Sequence, residues 1–476
     1  MRLVIRDGTI VTPSGLLAAD VVCADGRIAA WLDPGEQTRA DDVLDARGKL
    51  VFPGFLDPHV HSRDPGLTHK ETFGHSTLGA LHGGVTTVLE MPNSVPPVTD
   101  RASFDDRVKA LEPQAWVDFA LWGMALGAEN IEAVDELFDA GVVAVKLFWA
   151  YALRRDTRSL VYNISDLPAD QVIAPPENGD VLTLFRRVAE RGGLLAAHCE
   201  DRHILMAAEE ELGHPLATYD DLLNARPASA ESTSVAVAAH LSRLTGCRFH
   251  VVHMASAEAA EIVRQARADG VGISAETCPQ YLSFTADDYA EIGPIMKVYP
   301  PIRQRADQDA LWQAVRDGVV VSVGSDHAPH TLEEKAAGLD TQPAGVVGVE
   351  TLVPTMLDAM ARGRLDPVRL ADVLSTSTAK LYGLYPRKGS LLPGTDADLT
   401  VVDPAAEFEV RDADLHALHP LSPWSGRRLT GRPVATVLGG RVAMRDGVVE
   451  GKPAGRLVRA RHEGPESARA PGEVAR

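Results

Sequence analysis

The residues of this chain whose types and spacing suit chemistry are four histidines, a lysine and an aspartate. They are His59, His61, Lys146, His198, His253 and Asp326. Each lies in or directly after a short apolar run of the kind that forms a buried strand. Imidazole and carboxylate groups are protein ligands that divalent ions such as zinc prefer. Six such residues at five strand ends predict a metal site.

Two of these histidines, His59 and His61, form an HxH pair. Residues two apart in a strand point to the same face, so both imidazoles can bind one ion. Taken singly, a histidine at the end of an apolar strand is more often a hydrogen-bonded core residue, and we keep that interpretation for His250. The metal interpretation of the others depends on all six occurring together.

Lys146 is unusual because it lies in the apolar run 144–148. Burying an ammonium group there is costly, and one interpretation is a salt bridge to a nearby carboxylate. In the other, a desolvated neutral amine reacts with CO₂ to give a carbamate. A carbamate is an anionic ligand that can bridge two cations, which would then share a hydroxide as well.

The middle of the chain alternates between apolar runs and helix-like segments. The apolar runs are residues 55–59, 85–91, 117–124, 142–148, 194–198, 249–253, 271–275 and 319–323. The helix-like segments include residues 129–140, 181–191, 232–244 and 257–268. Eight strands alternating with helices predict a (β/α)₈ TIM-type barrel, in which reacting groups collect at the C-terminal strand ends.

Both ends of the chain are rich in short strands between turn signals, which predicts one small discontinuous β-sandwich domain formed by the two termini. We place its two parts at residues 1–51 and 384–456 and the barrel at residues 52–383. Residues 457–476, rich in Arg, Glu, Ala and Pro, are expected to form a flexible tail.

Composition narrows the class of protein. The chain has 476 residues, 45% of them hydrophobic, and a formal charge of −19. Such a chain buries a large core, and its acidic balance argues against nucleic-acid and anionic-membrane partners. The four cysteines are scattered, and no apolar run reaches the length of a signal peptide or a membrane span. A cytoplasmic location is therefore expected.

Together these motifs resemble the amidohydrolase superfamily, and within it the cyclic-amide hydrolases: dihydroorotases, hydantoinases (dihydropyrimidinases) and allantoinases. The resemblance extends from the β-rich N-terminus to residues 394–399. It implies hydrolysis of a C–N bond in a cyclic amide, a small-molecule substrate, and a homodimer or homotetramer.

The resemblance also implies two divalent ions. It assigns the HxH pair and Asp326 to the first ion, and His198 and His253 to the second. A carboxylated Lys146 would bridge the ions, and Asp326 would also act as general base. Zinc suits these ligands best, although Mn²⁺, Co²⁺ or Fe²⁺ would fit the same set.

Some positions are similar to dihydroorotases, enzymes of pyrimidine metabolism. Residues 59–66 match the motif HxHxRxPG, in which the arginine, here Arg63, grips the substrate carboxylate. Asn93 and His330 match further contacts to the substrate. The alternative for Arg63 is a surface salt bridge. These positions predict a carboxylate-bearing ring imide or ureide as substrate.

Other positions are similar to hydantoinases. Tyr151, five residues after Lys146, matches a tyrosine whose hydroxyl stabilises the oxyanion. Tyr299 precedes Pro300-Pro301, where dihydroorotases commonly have an asparagine that contacts the substrate. A hydantoinase or allantoinase is therefore the alternative substrate class. Residues 154–176 form an unusual segment that could be a lid or a pocket wall.

An alternative from a different class is a catalytically inactive, dihydroorotase-like structural subunit. Inactive relatives typically lose part of the HxH pair or the bridging lysine, whereas all six candidate positions are filled here. The sequence therefore favours an active hydrolase.

Overall fold

The computed structural model of the protein describes residues 1–161 and 168–462. Its N-terminal part forms seven short strands. They are β1 (Arg2–Arg6), β2 (Thr9–Thr12), β3 (Gly15–Ala18), β4 (Asp20–Ala24), β5 (Arg27–Leu32), β6 (Asp42–Asp45) and β7 (Leu50–Pro53). Asp7 and Asp25, each followed by glycine, adopt positive φ angles of 58° and 53° and turn the chain between strands.

The next strands build a barrel and a small sheet beside it. They are β8 (Phe55–Val60), β9 (Val85–Glu90), β10 (Asp118–Leu121), β11 (Gly123–Ala125), β12 (Val145–Phe148), β13 (Ala152–Arg154), β14 (Leu160–Val161), β15 (Val172–Ile173), β16 (Leu194–His198), β17 (Arg248–Val251), β18 (Ile273–Thr277) and β19 (Val320–Val323). Strands β13 to β15 form the small antiparallel sheet, in the order β14-β13-β15. The others pair in parallel.

The barrel is closed by strand pairing that is irregular at two places. Trp122 separates β10 from β11, and its backbone N–H donates to Glu90, while the N–H of Gly123 donates to Ala144. These two bonds make β10 and β11 the two halves of the third barrel strand. A parallel bridge between Val60 and His327 joins β8 to the end of β19. Eight parallel strand positions therefore close on themselves, and the predicted (β/α)₈ barrel is confirmed.

Helices cover the barrel and follow most of its strands. They are α1 (Phe73–His82), α2 (Arg101–Leu111), α3 (Ala133–Ala140), α4 (Asn178–Glu190), α5 (Arg202–Leu212), α6 (Tyr219–Ala225), α7 (Ala228–Thr245), α8 (Ala257–Ala268), α9 (Pro279–Ser283), α10 (Tyr289–Ile292), α11 (Arg305–Arg316), α12 (Leu332–Lys335), α13 (Leu352–Ala361), α14 (Pro367–Ala371) and α15 (Ser377–Leu381). The helix predicted at 257–268 matches α8, whereas that at 129–140 shortens to α3 because residues 127–130 form a 3₁₀ turn. Among the described residues, none of the helices is long and apolar enough to cross a membrane.

The C-terminal strands return to the N-terminal ones. They are β20 (Leu399–Glu409), β21 (Arg428–Leu438), β22 (Arg441–Arg445) and β23 (Val448–Val449). β20 pairs antiparallel with β7, which gives the sheet β23-β22-β21-β20-β7-β2-β3. This sheet shares a buried apolar core with the sheet β5-β4-β1-β6, through residues such as Ile5, Val21, Val51 and Val401. The discontinuous β domain formed by the two termini is confirmed.

Two predicted boundaries differ from the structure. The boundary at 51/52 falls inside β7, which pairs with sandwich strands as far as Pro53. The predicted tail begins at residue 457, but Val458 is buried and its N–H donates to Phe119 on the barrel. Residues 457–462 therefore pack on the barrel, and the remainder of the predicted tail lies outside the described residues. Of the segment 154–176, the described part contributes to the small antiparallel sheet, and residues 162–167 lie outside it.

A buried ion cluster joins the barrel to the β domain. Lys388 is 3% exposed and forms ion pairs with Asp118 of β10, with Asp398 and, at 3.2 Å, with Asp396. We expect Lys388→Met to lower the free energy of unfolding by about 3–5 kcal/mol, because it leaves buried carboxylates without a counter-charge. Urea unfolding followed by circular dichroism measures this change.

The matched control is Arg387→Met. Arg387 binds Asp396 from a half-exposed position, and loss of such a pair costs about 1 kcal/mol or less. Equal unfolding midpoints for the two variants would contradict a stabilising role for the buried lysine.

Candidate metal centre

The C-terminal ends of the barrel strands open into one small cavity of about 60 Å³. Ten of the eleven predicted site residues line it: His59, His61, Arg63, Asn93, Lys146, Tyr151, His198, His253, Tyr299 and Asp326. His330 lies behind Arg63, with its Nε2 3.2 Å from the Nη2 of that arginine. The fold therefore brings together residues that are up to 267 positions apart in the chain.

The first candidate ligand group consists of the HxH pair and Asp326. The Nε2 atoms of His59 and His61 each lie 3.4 Å from Oδ1 of Asp326, and one ligand atom from each residue falls within 4.8 Å of the others. The Nδ1 atoms face outward, toward Oε1 of Glu276 at 2.5 Å and Oδ1 of Asn93 at 2.7 Å. Because these acceptors take the Nδ1 hydrogens, the Nε2 lone pairs of both imidazoles are available to an ion.

The second candidate group consists of His198 and His253. Nδ1 of His198 lies 3.1 Å from Nε2 of His253, and the other nitrogen of His198 lies 2.6 Å from Oε2 of Glu200. The ring centroids of His59 and His253 are 5.3 Å apart, so the two groups adjoin. Burial lowers the pKa of both His198 and His253, which keeps the imidazoles in the neutral form that binds metal ions.

Lys146 is fully buried beside these groups. Its Nζ has no hydrogen-bond partner among the residues that the structure describes, which argues against the salt-bridge interpretation. Burial lowers the pKa of Lys146 to about 8, so part of the population is neutral amine near physiological pH. A buried amine without a partner is costly. Reaction with CO₂ and binding to cations would satisfy it.

Asp326 remains ionised in this environment. Burial raises the pKa of its carboxyl group, but His59, His253 and His61 outweigh that effect and hold the pKa well below its usual range. The group is therefore an anionic oxygen ligand, or a base if a stronger acid such as metal-bound water approaches it.

Three site residues have strained backbones. Arg63, His253 and Asp326 have φ angles of 61°, 41° and 50°, in the left-handed region that residues other than glycine rarely adopt. Each costs about 1–3 kcal/mol, and such conformations persist where the surrounding structure enforces them, most often at functional sites.

Arg63 faces the cavity from one side. It is 9% exposed, so it is a buried residue and not one of the protein surface. Its Nε donates to the carbonyl of Pro329 at 3.1 Å, and its Nη2 approaches His330, whose Nε2 also lies 3.0 Å from the carbonyl oxygen of Ala344. These contacts hold the planar guanidinium in place against the cavity.

Sequence reasoning missed three charged residues around the site: Glu276, Glu200 and Arg226. Glu276 contacts His59, and Glu200 contacts His198. Both carboxylates left a signal, because Glu276 is a charged residue within a largely buried strand and Glu200 follows a candidate ligand by two residues. Arg226, which binds Glu200, follows α6 in a segment with no pattern of its own.

Comparison with known proteins gives consistent matches over nearly the whole chain. A model of the amidohydrolase family matches residues 50–443. The chain is 39% identical over 469 residues to an allantoinase of Rubrobacter xylanophilus (97% of this chain, 98% of that one) and 33% identical over 458 residues to an L-hydantoinase of Paenarthrobacter aurescens (94% and 95%). Among solved structures, it superimposes on the L-hydantoinase (dihydropyrimidinase) from Arthrobacter aurescens with a TM-score of 0.89 and 31% identity, covering 96% of this chain and 99% of that one.

The orientation of His59 by Glu276 can be tested. We expect Glu276→Gln to weaken binding of a divalent ion about 10- to 100-fold, because carboxylate partners fix ligand histidines and raise their basicity. Competition with a chromophoric chelator measures the dissociation constant. Glu291→Gln, on an exposed side chain, is the control, and an unchanged constant for Glu276→Gln would contradict this role.

Proposed function

Because the chain belongs to the amidohydrolase family and is a cyclic-amide hydrolase, we propose that it opens a ring ureide, with allantoin as the first candidate substrate and two divalent ions as cofactors. The relatives reported above carry the names of the alternative substrate class, allantoinase and hydantoinase. The observation that carries the proposal is the buried amine of Lys146, which has no hydrogen-bond partner among the described residues, in a cavity lined by four histidines.

The described residues fit such a metal centre. The proposed ligands are His59, His61 and Asp326 for one ion and His198 with His253 for the other. Carboxylated Lys146 is proposed as the ligand shared by both. When bound, two divalent ions lower the pKa of a water molecule and polarise a carbonyl group, and zinc is the first candidate.

The side chains of this protein supply the proton transfers and the orientation. Asp326, ionised and facing the candidate ions, accepts the proton of the attacking water. It then passes that proton to the ring nitrogen as the C–N bond breaks, so that one open-chain product results, with a carboxyl group at one end and a ureido group at the other. Tyr151 donates a hydrogen bond to the carbonyl oxygen as negative charge develops there.

The substrate edge away from the metals is proposed to contact Arg63 and Asn93. The oxygen of Asn93 is engaged by His61, so Asn93 would offer its amide hydrogens to a substrate carbonyl. Arg63 can pair with a ureido oxygen or, through two hydrogen bonds, with a carboxylate. A carboxylate-bearing ring imide is therefore the second candidate substrate. Arg63 is buried at the cavity, where its positive charge favours an anionic group of the substrate.

The structure assembles all six candidate ligand residues in one cavity. The interpretation as an inactive subunit is therefore not needed, and the chain is an enzyme. We further propose a cytoplasmic homodimer or homotetramer. The cytoplasmic location is supported by four cysteines that are all free thiols.

A substrate panel tests the proposal. We expect purified protein to open allantoin with a higher kcat/KM than dihydroorotate or unsubstituted hydantoin. Arg63→Ala should lower kcat/KM for allantoin about 10- to 100-fold, because a charge-assisted hydrogen bond contributes about 1.5–3 kcal/mol.

Arg63→Lys is the matched variant, which keeps the charge and loses the planar fork. Preferred turnover of dihydroorotate, with a loss in Arg63→Ala confined to that substrate, would replace the first candidate by the second. Failure to open any of the three rings would contradict the proposed function.

Metal removal tests the cofactors. We expect about two divalent ions per chain by elemental analysis, loss of activity with a chelator, and recovery with Zn²⁺ plus bicarbonate. Lys146→Met, similar in volume, should lose about 10³-fold or more in kcat because it cannot form the carbamate, and bicarbonate should not restore it. Equal recovery of the native protein with and without bicarbonate would count against carboxylation.

A further inference from the structure

Arg226 is a buried guanidinium that touches three groups around the metal centre. It is 5% exposed and lies in the turn between α6 and α7. Its Nε donates to Oε1 of Glu200 at 3.2 Å and its Nη2 to Oε2 of the same carboxylate. The same Nη2 donates to the hydroxyl oxygen of Tyr151 at 2.9 Å, and the guanidinium carbon lies 3.7 Å from the ring centroid of Tyr299.

We propose that Arg226 is a positioning residue: it holds the Tyr151 hydroxyl and the Tyr299 ring in the positions that the reaction requires. This inference rests on the proposed function, because it gives the Tyr151 hydroxyl the role of oxyanion donor. It adds to that function a residue outside the cavity lining that controls kcat through Tyr151.

The first argument concerns the direction of the hydrogen bond. A guanidinium can only donate, so the phenol oxygen of Tyr151 accepts from Arg226 and its own hydrogen is directed elsewhere. The hydroxyl oxygen lies 3.1 Å from Nε2 of His198, but that nitrogen lies closer to Glu200, at 2.6 Å, to which it donates. Tyr151 itself lines the cavity, so the arrangement favours a hydroxyl that donates into it.

The second argument concerns geometry. One edge of the guanidinium is held by both oxygens of Glu200, and its flat face covers the ring of Tyr299. An arginine bound at its edge and stacked on its face has little freedom to rotate. Contact of a cation with an aromatic face is also favourable where water is excluded. Arg226 therefore fixes one wall of the cavity, formed by Tyr151 and Tyr299, relative to the metal side.

The third argument concerns the link to the metal side. Glu200 is fully buried and contacts both Arg226 and His198. The carboxylate of Glu200 thus holds both His198, a candidate metal ligand, and Arg226, which donates to Tyr151. Lysine at position 226 would keep a positive charge for Glu200 but lose the fork and the flat face, which separates the two roles experimentally.

A double-mutant cycle on the metal-loaded enzyme tests the proposal. We expect Arg226→Lys to lower kcat for the best ring substrate about 10²-fold with KM changed less than about 3-fold, because only transition-state stabilisation is lost. Tyr151→Phe should lose about 10²- to 10³-fold. The double variant should be within about 3-fold of Tyr151→Phe alone, since both changes remove the same interaction.

The controls separate this proposal from other effects. Arg202→Lys, at a partly exposed arginine that binds Glu177, should leave kcat unchanged. Losses that multiply in the double variant, or loss of metal from Arg226→Lys by elemental analysis, would overturn the positioning role. If Arg226→Lys does not fold, Arg226→Gln takes its place in the cycle.

If the proposed function is wrong, the wild-type protein itself opens no ring, and this result differs from a loss of activity seen only in the variants. In that case a crystal structure of Arg226→Lys decides the inference. Displacement of the Tyr151 hydroxyl and the Tyr299 ring supports it, and unchanged positions of both side chains overturn it.

Discussion

The site depends on the removal of water from around groups that would otherwise be charged. His198 and His253 are kept neutral by burial, and Lys146 is shifted toward its free amine for the same reason. Carboxylates outside the ligand sets then orient two of the rings, Glu276 that of His59 and Glu200 that of His198. In water near pH 7 the lysine would be protonated and the imidazoles would turn freely, so the apolar barrel interior makes these side chains better metal ligands.

The candidate metal ligands and the groups proposed to face the substrate come from different parts of the fold. Three candidate metal ligands, His59, Lys146 and His198, lie within the parallel strands β8, β12 and β16, and the other three follow a strand end by one to three residues. The groups proposed to face the substrate, such as Arg63, Tyr151 and Tyr299, come from the connections that follow the strands. Substrate range can therefore vary by changes in those connections while the ligand set stays in place.

The barrel and the candidate ligands were predictable because both follow from short-range patterns. Apolar runs predicted the strands, and a polar residue at the end of such a run, such as His198, predicted a position at the barrel mouth. The interruption of the third strand at Trp122 has no comparable signal, because it is set by packing. Arg226 was not predictable either, since its role comes from distant partners, Tyr151 and Tyr299, that the fold brings to it.

The left-handed backbone at Arg63, His253 and Asp326 has a consequence for how this lineage can change. Glycine adopts that conformation without penalty, so a mutation to glycine at any of the three would remove a side chain of the site and relieve local strain together. Drift toward a folded but inert descendant is therefore thermodynamically easy at these positions. The side chains at Arg63, His253 and Asp326 therefore cost stability, and the proposed roles in the reaction offset that cost.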